Sequence, residues 1–194
     1  MEGGNQSKFL NELHELFYEH ADPRIRDRLF MGSPFLLCFC YLCYVVIIVY
    51  VIPLIMENRK PFSFTKLWNL TDVLIFFMAG YIAVASCYVW FFRFNWICQP
   101  IDRSNSFDAN LVLNTSYHFL LLKFVYTLQS AAYSLSKRKC KVATYILIHH
   151  TLFPIMIWCV INYYPGGHVR LLWYFLNLYI ELPLLGNIHW IYEL

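Results

Sequence analysis

The sequence predicts an all-α protein whose helices form a multi-pass transmembrane bundle. Of its 194 residues, 59% are hydrophobic and only 14% are charged, whereas soluble domains carry roughly 25% charged residues. Several apolar stretches are long enough to cross a bilayer, which takes about 20 residues of helix. One of these stretches contains two adjacent histidines, His149 and His150. Polar side chains at that depth face protein or a water-filled cavity, so the pair marks a functional site.

Five stretches have the length of a spanning helix. They are residues 35–56, 67–92, 111–135, 142–164 and 169–194. The first two are the most apolar, while polar residues accumulate in the last three, which we therefore expect to meet inside the bundle. The predicted organisation is a tail, residues 1–34, followed by a transmembrane domain, residues 35–194.

The tail contains apolar residues at helical spacing, among them Phe9, Leu13 and Leu16, which alternate with glutamates. This pattern predicts a short amphipathic helix that lies on a membrane surface or on the bundle. The first 30 residues are polar and charged, so we expect no cleavable signal peptide.

Lysines and arginines are concentrated in the loops after the first and third spans, which places those loops in the cytosol and the N-terminus in the lumen. The arginines of the tail, Arg24, Arg26 and Arg28, run against this pattern. Cys38, Cys40 and Cys43 lie inside the first span, where we expect them to be packing residues and not metal ligands. The net charge is only +3 and is spread over short loops, so nucleic acid is not an expected partner.

Five short stretches follow one another in an order that identifies a family. They are residues 22–34 (DPRIRDRLFMGSP), residues 56–62 (MENRKPF), residues 96–102 (WICQPID), the segment from Lys123 to Ser130, and the histidine pair followed by Pro165-Gly-Gly167. Together they resemble the fatty-acid elongase (ELO) family of the endoplasmic reticulum. The resemblance extends from about residue 22 to residue 181 and implies a seven-helix barrel, of which this chain has five spans.

The resemblance implies an activity and its partners. Members of the family condense malonyl-CoA with a long-chain acyl-CoA, release CO2 and CoA, and lengthen the acyl chain by two carbons. No cofactor is implied beyond these two substrates. The expected surroundings are the lipid of the endoplasmic reticulum membrane, the ketoacyl reductase, dehydratase and enoyl reductase of the elongation cycle, and other elongase chains in a homo- or hetero-oligomer.

His149 and His150 correspond to the last two positions of the family's His-x-x-His-His signature. Histidines at that spacing share one helix face, and an imidazole, with an ordinary pKa of about 6.5, can act as nucleophile or general base near neutral pH. The resemblance therefore makes His149 the candidate nucleophile and His150 the candidate base. Glu181 stands where the family has a further catalytic histidine and completes the predicted catalytic set.

The predicted substrate-binding residues are Lys123, Tyr126, Gln129 and Asn177. The first three occupy a motif that in the family runs Lys-x-x-Glu-x-x-Asp, so both of its carboxylates are replaced here. Lys123 has two open interpretations, because its ammonium either binds a CoA phosphate or reaches the membrane interface. The first position of the histidine signature is also changed, to Ile146.

These departures leave a second hypothesis open, in which the chain is an inactive paralogue that binds acyl chains or associates with active elongases. A di-iron desaturase is disfavoured, because such a site needs several histidine boxes and the other histidines of this chain are isolated.

Overall fold

The computed structural model describes residues 3–63, 65–98, 100–136 and 143–167, and every regular element among them is a helix. The helices are α1 (Gly3–His20), α2 (Pro34–Val46), α3 (Ile52–Met56), α4 (Thr65–Tyr88), α5 (Phe107–Leu135) and α6 (Ala143–Tyr163). The predicted all-α fold is confirmed. Residues 169–194, the fifth predicted span, lie outside the described residues.

The first span is a single rod made of α2, a π-helical turn at Ile47–Val51, and α3. It begins after Ser33, whose backbone is extended, with Pro34 in the first helical turn, where its missing N–H costs nothing. Pro53 explains the π turn, because a proline inside a helix removes one amide and clashes with the preceding turn. The wider turn absorbs that defect, and the amide of Ile52 bonds to the carbonyl of Ile47, five residues earlier.

Among the described residues, two rods are long and apolar enough to cross a membrane, Pro34–Met56 and Leu70–Arg93. The second joins most of α4 to a π turn at Val89–Arg93. Most of its side chains point away from the protein, including Phe76 and Phe91, each 74% exposed. Such an apolar outer surface fits contact with lipid.

The bundle is organised around α5, which packs against α3, α4 and α6, while α2 packs against α6. The buried apolar cluster comes from α2, α5, α6 and the loop before α2. Its members are Ile25, Met31, Leu37, Tyr41, Tyr44, Leu113, Leu120, Ile157, Trp158 and Ile161. The amphipathic helix predicted in the tail is α1, and its Phe17 ring meets the rings of Phe35 and Trp158 edge-on.

The loop of residues 21–33 is bound to the end of α6 through Asn162, which is fully buried. The amide of Asp22 donates to the Asn162 backbone carbonyl (2.9 Å), and the amide of Gly32 donates to the Asn162 side-chain oxygen (3.2 Å). Asn162 completes its bonds by donating to the carbonyl of Trp158 (3.0 Å). Each polar atom of this buried amide therefore has a partner, which is the condition for it to stabilise a fold.

Phe30 ties the same loop to α5. Its φ of 66° places a bulky residue in the left-handed region, which costs about 1–3 kcal/mol. Two contacts offset that strain. The Phe30 carbonyl accepts a hydrogen bond from the Trp158 indole (2.7 Å), and its ring stacks on Phe124 of α5 with centroids 4.5 Å apart.

Three connections therefore meet at one end of the bundle, namely the loop of residues 21–33, the loop between α4 and α5, and the chain at the end of α6. Arg24 forms a two-point ion pair with Asp22 and also donates to the backbone carbonyl of Ser104 in the loop between α4 and α5. In the same loop Arg103 donates to the carbonyl of Tyr163 at the end of α6 (3.4 Å). Burial alone raises the pKa of Asp22, but the hydrogen bonds from Arg24 outweigh burial and hold that pKa below its usual range.

We predict that Gly32→Ala destabilises the fold. Gly32 has a φ of +74°, and a Cβ there lies 2.6 Å from the Arg26 carbonyl oxygen, so the free energy of unfolding should fall by about 2 kcal/mol or more. Thermal unfolding in detergent measures this. Gly80→Ala is the control, since a Cβ at that helical site meets nothing within 4 Å. Equal melting temperatures for the two variants would show that the fold does not require glycine at position 32.

Candidate active site

The histidine pair lies in the first half of α6, roughly 10 Å from its start at 1.5 Å per residue. His149 is buried, with 4% of its surface exposed, and its ring lies 4.2 Å from that of Phe153, one turn later. The two imidazole rings are 5.5 Å apart and inclined by 66°. Adjacent residues on a helix diverge by about 100°, so the pair presents two nitrogens in different directions and not one chelating face.

Tyr126 connects the histidine pair to α5. Its ring is nearly parallel to that of His150, with centroids 6.0 Å apart and an angle of 25°. This is the contact through which the two predicted motifs, on different helices, form one site. The sequence predicts each motif separately, and the packing of α5 on α6 joins them.

Lys123 is the most deeply buried charged residue of the described chain, with no exposed surface. Its Nζ atom lies 4.7 Å from the centre of the Phe119 ring and 5.5 Å from that of Tyr126. Aromatic faces stabilise an ammonium group that has left water. The structure therefore places this ammonium inside the bundle, between two aromatic rings.

A row of hydroxyls continues from Lys123 along α5. Thr127 donates to the Lys123 carbonyl (2.8 Å), and Ser130 donates to the Thr127 carbonyl (2.9 Å). The Ser130 hydroxyl also lies 2.6 Å from that of Tyr44 on α2. These bonds satisfy polar groups inside an apolar bundle and connect α5 to α2.

Lys123, Tyr126, His149 and His150 are thus brought together by the structure. Gln129 belongs to α5, but its side chain lies outside the described part, as does the side chain of Ile146 in α6. Asn177 and Glu181 lie outside the described residues. Two neighbours of the site, Phe119 and Phe153, were not predicted. Their positions, four residues before Lys123 and four after His149, were the signal, because that spacing places residues on one helix face.

The described part of the site contains groups that can act as nucleophile, base and cation. It contains two imidazoles, one ammonium and one phenol, and no group of three or more His, Cys, Asp or Glu that could hold a metal occurs among the described residues. An imidazole can accept an acyl group or a proton. A buried ammonium attracts the negative charge that develops on a thioester oxygen under attack.

Comparison with known sequences points to the same family as the sequence motifs. A sequence model described as ELO, the GNS1/SUR4 family, matches residues 29–182. The chain is 35% identical over 161 residues to very long chain fatty acid elongase 1 of Mus musculus, covering 81% of this chain and 57% of that protein. The human elongase 1 is 32% identical over 158 residues. Elongase 7 of Drosophila melanogaster is 29% identical over 175 residues, which is 90% of this chain and 53% of that protein. The chain thus spans little more than half the length of these relatives.

We predict that Lys123→Met leaves the melting temperature in detergent unchanged or higher. Methionine keeps the length of the side chain, and removing a buried charge offsets the loss of about 2 kcal/mol of cation–π attraction. Lys123→Glu should unfold the bundle at a markedly lower temperature, since it puts a carboxylate against two ring faces. The control is Lys8→Met, which makes the same substitution at an exposed site. A loss with Lys123→Met as large as with Lys123→Glu would assign Lys123 to stability and not to binding.

Proposed function

Because the chain belongs to the GNS1/SUR4 (ELO) family of multi-pass membrane elongases, we propose that it acts on long-chain acyl-CoA as an elongase-type 3-ketoacyl-CoA synthase. The observation that carries this proposal is the contact of Tyr126 with His150. It brings the third-span motif and the histidine pair, two separate sequence features of the family, into one buried site.

In the proposed reaction an imidazole nitrogen of His149 attacks the carbonyl carbon of an acyl-CoA, and CoA leaves as the thiolate. The acyl group is then bound to the histidine. Malonyl-CoA loses CO2, and its α-carbon attacks the acyl carbon, which forms the new C–C bond and frees His149. His150 is the base that takes the N–H proton of the attacking imidazole and passes it to the departing thiolate. Lys123 stabilises negative charge on the thioester oxygen or on a CoA phosphate.

The remaining assignments complete the proposal. Asn177 and Gln129 bind substrate, and Glu181 orients an imidazole by accepting its N–H, as carboxylates do beside catalytic histidines. The substrates are malonyl-CoA and acyl-CoA, and no other cofactor takes part. The protein resides in the endoplasmic reticulum membrane with a lumenal N-terminus and works with the reductases and the dehydratase of the elongation cycle.

Changes within the motifs favour weak catalysis. A hydrogen-bonding histidine is replaced by Ile146, and two carboxylates that can hold imidazole tautomers are replaced by Tyr126 and Gln129. These changes support the second candidate function, an inactive paralogue that binds acyl chains or pairs with active elongases. Acylation of His149 distinguishes the two functions, because only the active enzyme forms this covalent intermediate.

We predict that radiolabelled acyl-CoA leaves a label on the purified full chain if His149 is the nucleophile. Hydroxylamine or malonyl-CoA should remove the label, since both attack an acyl-imidazole. His149→Ala should abolish labelling, whereas His118→Ala, which changes another partly buried imidazole, should retain it. Labelling that persists in His149→Ala removes His149 from this role, and an unlabelled wild-type chain supports the inactive paralogue.

We predict that restoring the family's residues raises the rate of condensation. The combined variant Ile146→His, Tyr126→Glu, Gln129→Asp and Glu181→His should gain about 10- to 100-fold, by analogy with the loss of orienting partners at metal sites. Product formation from malonyl-CoA and a range of acyl-CoAs measures it. The same variant carrying His149→Ala should be inactive. Robust turnover by the unmodified chain would contradict the expectation of weak catalysis.

We predict that the sequon Asn5-Gln-Ser7 is glycosylated in microsomes, because the proposed orientation places it in the lumen. Asn69-Leu-Thr71 lies near the start of α4, which the same orientation places on the cytosolic side, so this sequon should stay unmodified. Asn5→Gln should remove the mass shift. A glycan on Asn69 would show that the orientation is the reverse of the proposed one.

A further inference from the structure

A cleft of about 300 Å³ opens at the end of the bundle where the three connections meet. Its walls are the π turn Val89–Arg93, the loop that follows it, the first turns of α5, and Pro165 to Gly167. π turns occur often at functional sites because they turn side chains out of the regular helical register. None of the residues proposed for acyl transfer lines this cleft.

Two carboxylates and one guanidinium line the cleft. Arg93 donates to one oxygen of Asp108 through both Nε and Nη2 (2.6 Å each). The second oxygen, Oδ1, is buried and has no hydrogen-bond partner in the described structure. Because Oδ1 is closed to solvent, it is not the group that a ligand in the cleft would meet.

Asp102 supplies the second carboxylate. Its oxygens accept hydrogen bonds from the Ser104 amide (2.8 Å) and the Ser106 hydroxyl (3.3 Å). The bonds from Ser104 are the main cause that lowers the pKa of Asp102 below its usual range, so this carboxylate is ionised at neutral pH. Arg93 is paired with Asp108, so Asp102 is the carboxylate of the lining that no other lining residue balances, and Arg24 outside the lining donates to its backbone carbonyl (3.3 Å).

Three aromatic residues also line the cleft. Trp90 and Phe94 are half-buried and line the cleft together with Phe92. Aromatic rings beside carboxylates form the environment that binds quaternary ammonium groups, because the ring faces are negative and the ligand keeps no tight water shell.

The cleft is continuous with the surface that faces lipid. Phe92 is 77% exposed and its neighbour Phe91 is 74% exposed, and Arg93 is the last residue of the apolar rod Leu70–Arg93. A molecule whose cationic head enters the cleft can therefore extend an apolar tail along this rod. We propose that the cleft binds the headgroup of phosphatidylcholine, with its ammonium between the aromatic rings and the carboxylates and its phosphate at the half-exposed guanidinium of Arg93.

Native mass spectrometry of the full chain in detergent tests this site with lipids of two eight-carbon chains. The phosphatidylcholine form should bind in a saturable way, and about tenfold more tightly than the phosphatidylglycerol form, which has the same tails and phosphate but no cation. Free phosphocholine should bind more weakly than the lipid. Equal binding of the two lipids overturns the proposed cation site, and phosphocholine binding as tight as the lipid overturns the lipid as the occupant.

Variants locate the site. Trp90→Ala and Asp102→Asn should each weaken phosphatidylcholine binding by about tenfold, while Trp90→Phe should keep most of it. Trp96→Ala and Asp27→Asn change an exposed tryptophan and an exposed carboxylate outside the cleft and should have no effect. Melting temperatures show that each variant is folded. Binding that is unchanged in both Trp90→Ala and Asp102→Asn places the lipid elsewhere and overturns the proposal.

Discussion

The buried side chain of Asn162 is the constraint on which the described fold depends. It links the loop before α2 to the last turn of α6, segments separated by 130 residues, and its own backbone carbonyl accepts a second bond from the same loop. Hydrogen bonds of this kind are individually modest, about 1 kcal/mol each. Their effect here is geometric, because they fix α6 against α2 and bring the Phe30 ring onto α5.

The second organising feature is the polar row of α5. Lys123, Tyr126, Thr127 and Ser130 follow the i, i+3, i+4, i+7 spacing of one helix face. The row meets α2 through Tyr44 and α6 through His150. In a membrane, packing and polar contacts hold helices together because the surrounding lipid is as apolar as the helices themselves. Two residues of the row, Tyr126 and Ser130, therefore join α5 to its neighbours, and Tyr126 is also part of the candidate site.

Much of this architecture could be predicted because span length and local spacing are properties of the sequence. The helix type and the grouping of Lys123 with Tyr126 follow from periodicity, while His149 and His150 are neighbours in the sequence itself. α5 begins at Phe107, one turn before the apolar span predicted from residue 111, and this first turn is stabilised by the Ser106 hydroxyl, which accepts a bond from the Ala109 amide. Apolarity alone does not detect such a turn.

Contacts between distant segments could not be predicted in the same way. The stacking of Tyr126 on His150 depends on how far α5 slides along α6, and no local pattern encodes that register. The bonds of Asn162 mostly involve backbone groups, which every residue carries. The environment of Lys123 likewise required the tertiary structure, because the sequence allowed both an interior and an interfacial position for its ammonium.

Pro154 gives α6 an unequal stiffness along its length. A proline at that position lacks the amide that would bond to the carbonyl of His150. The half of α6 after Pro154 is fixed by Trp158 and Asn162, while the half before it carries the two imidazoles. The backbone hydrogen bond missing from α6 therefore falls one turn after the histidine pair, between a half held by the loop before α2 and a half that meets α5 through Tyr126.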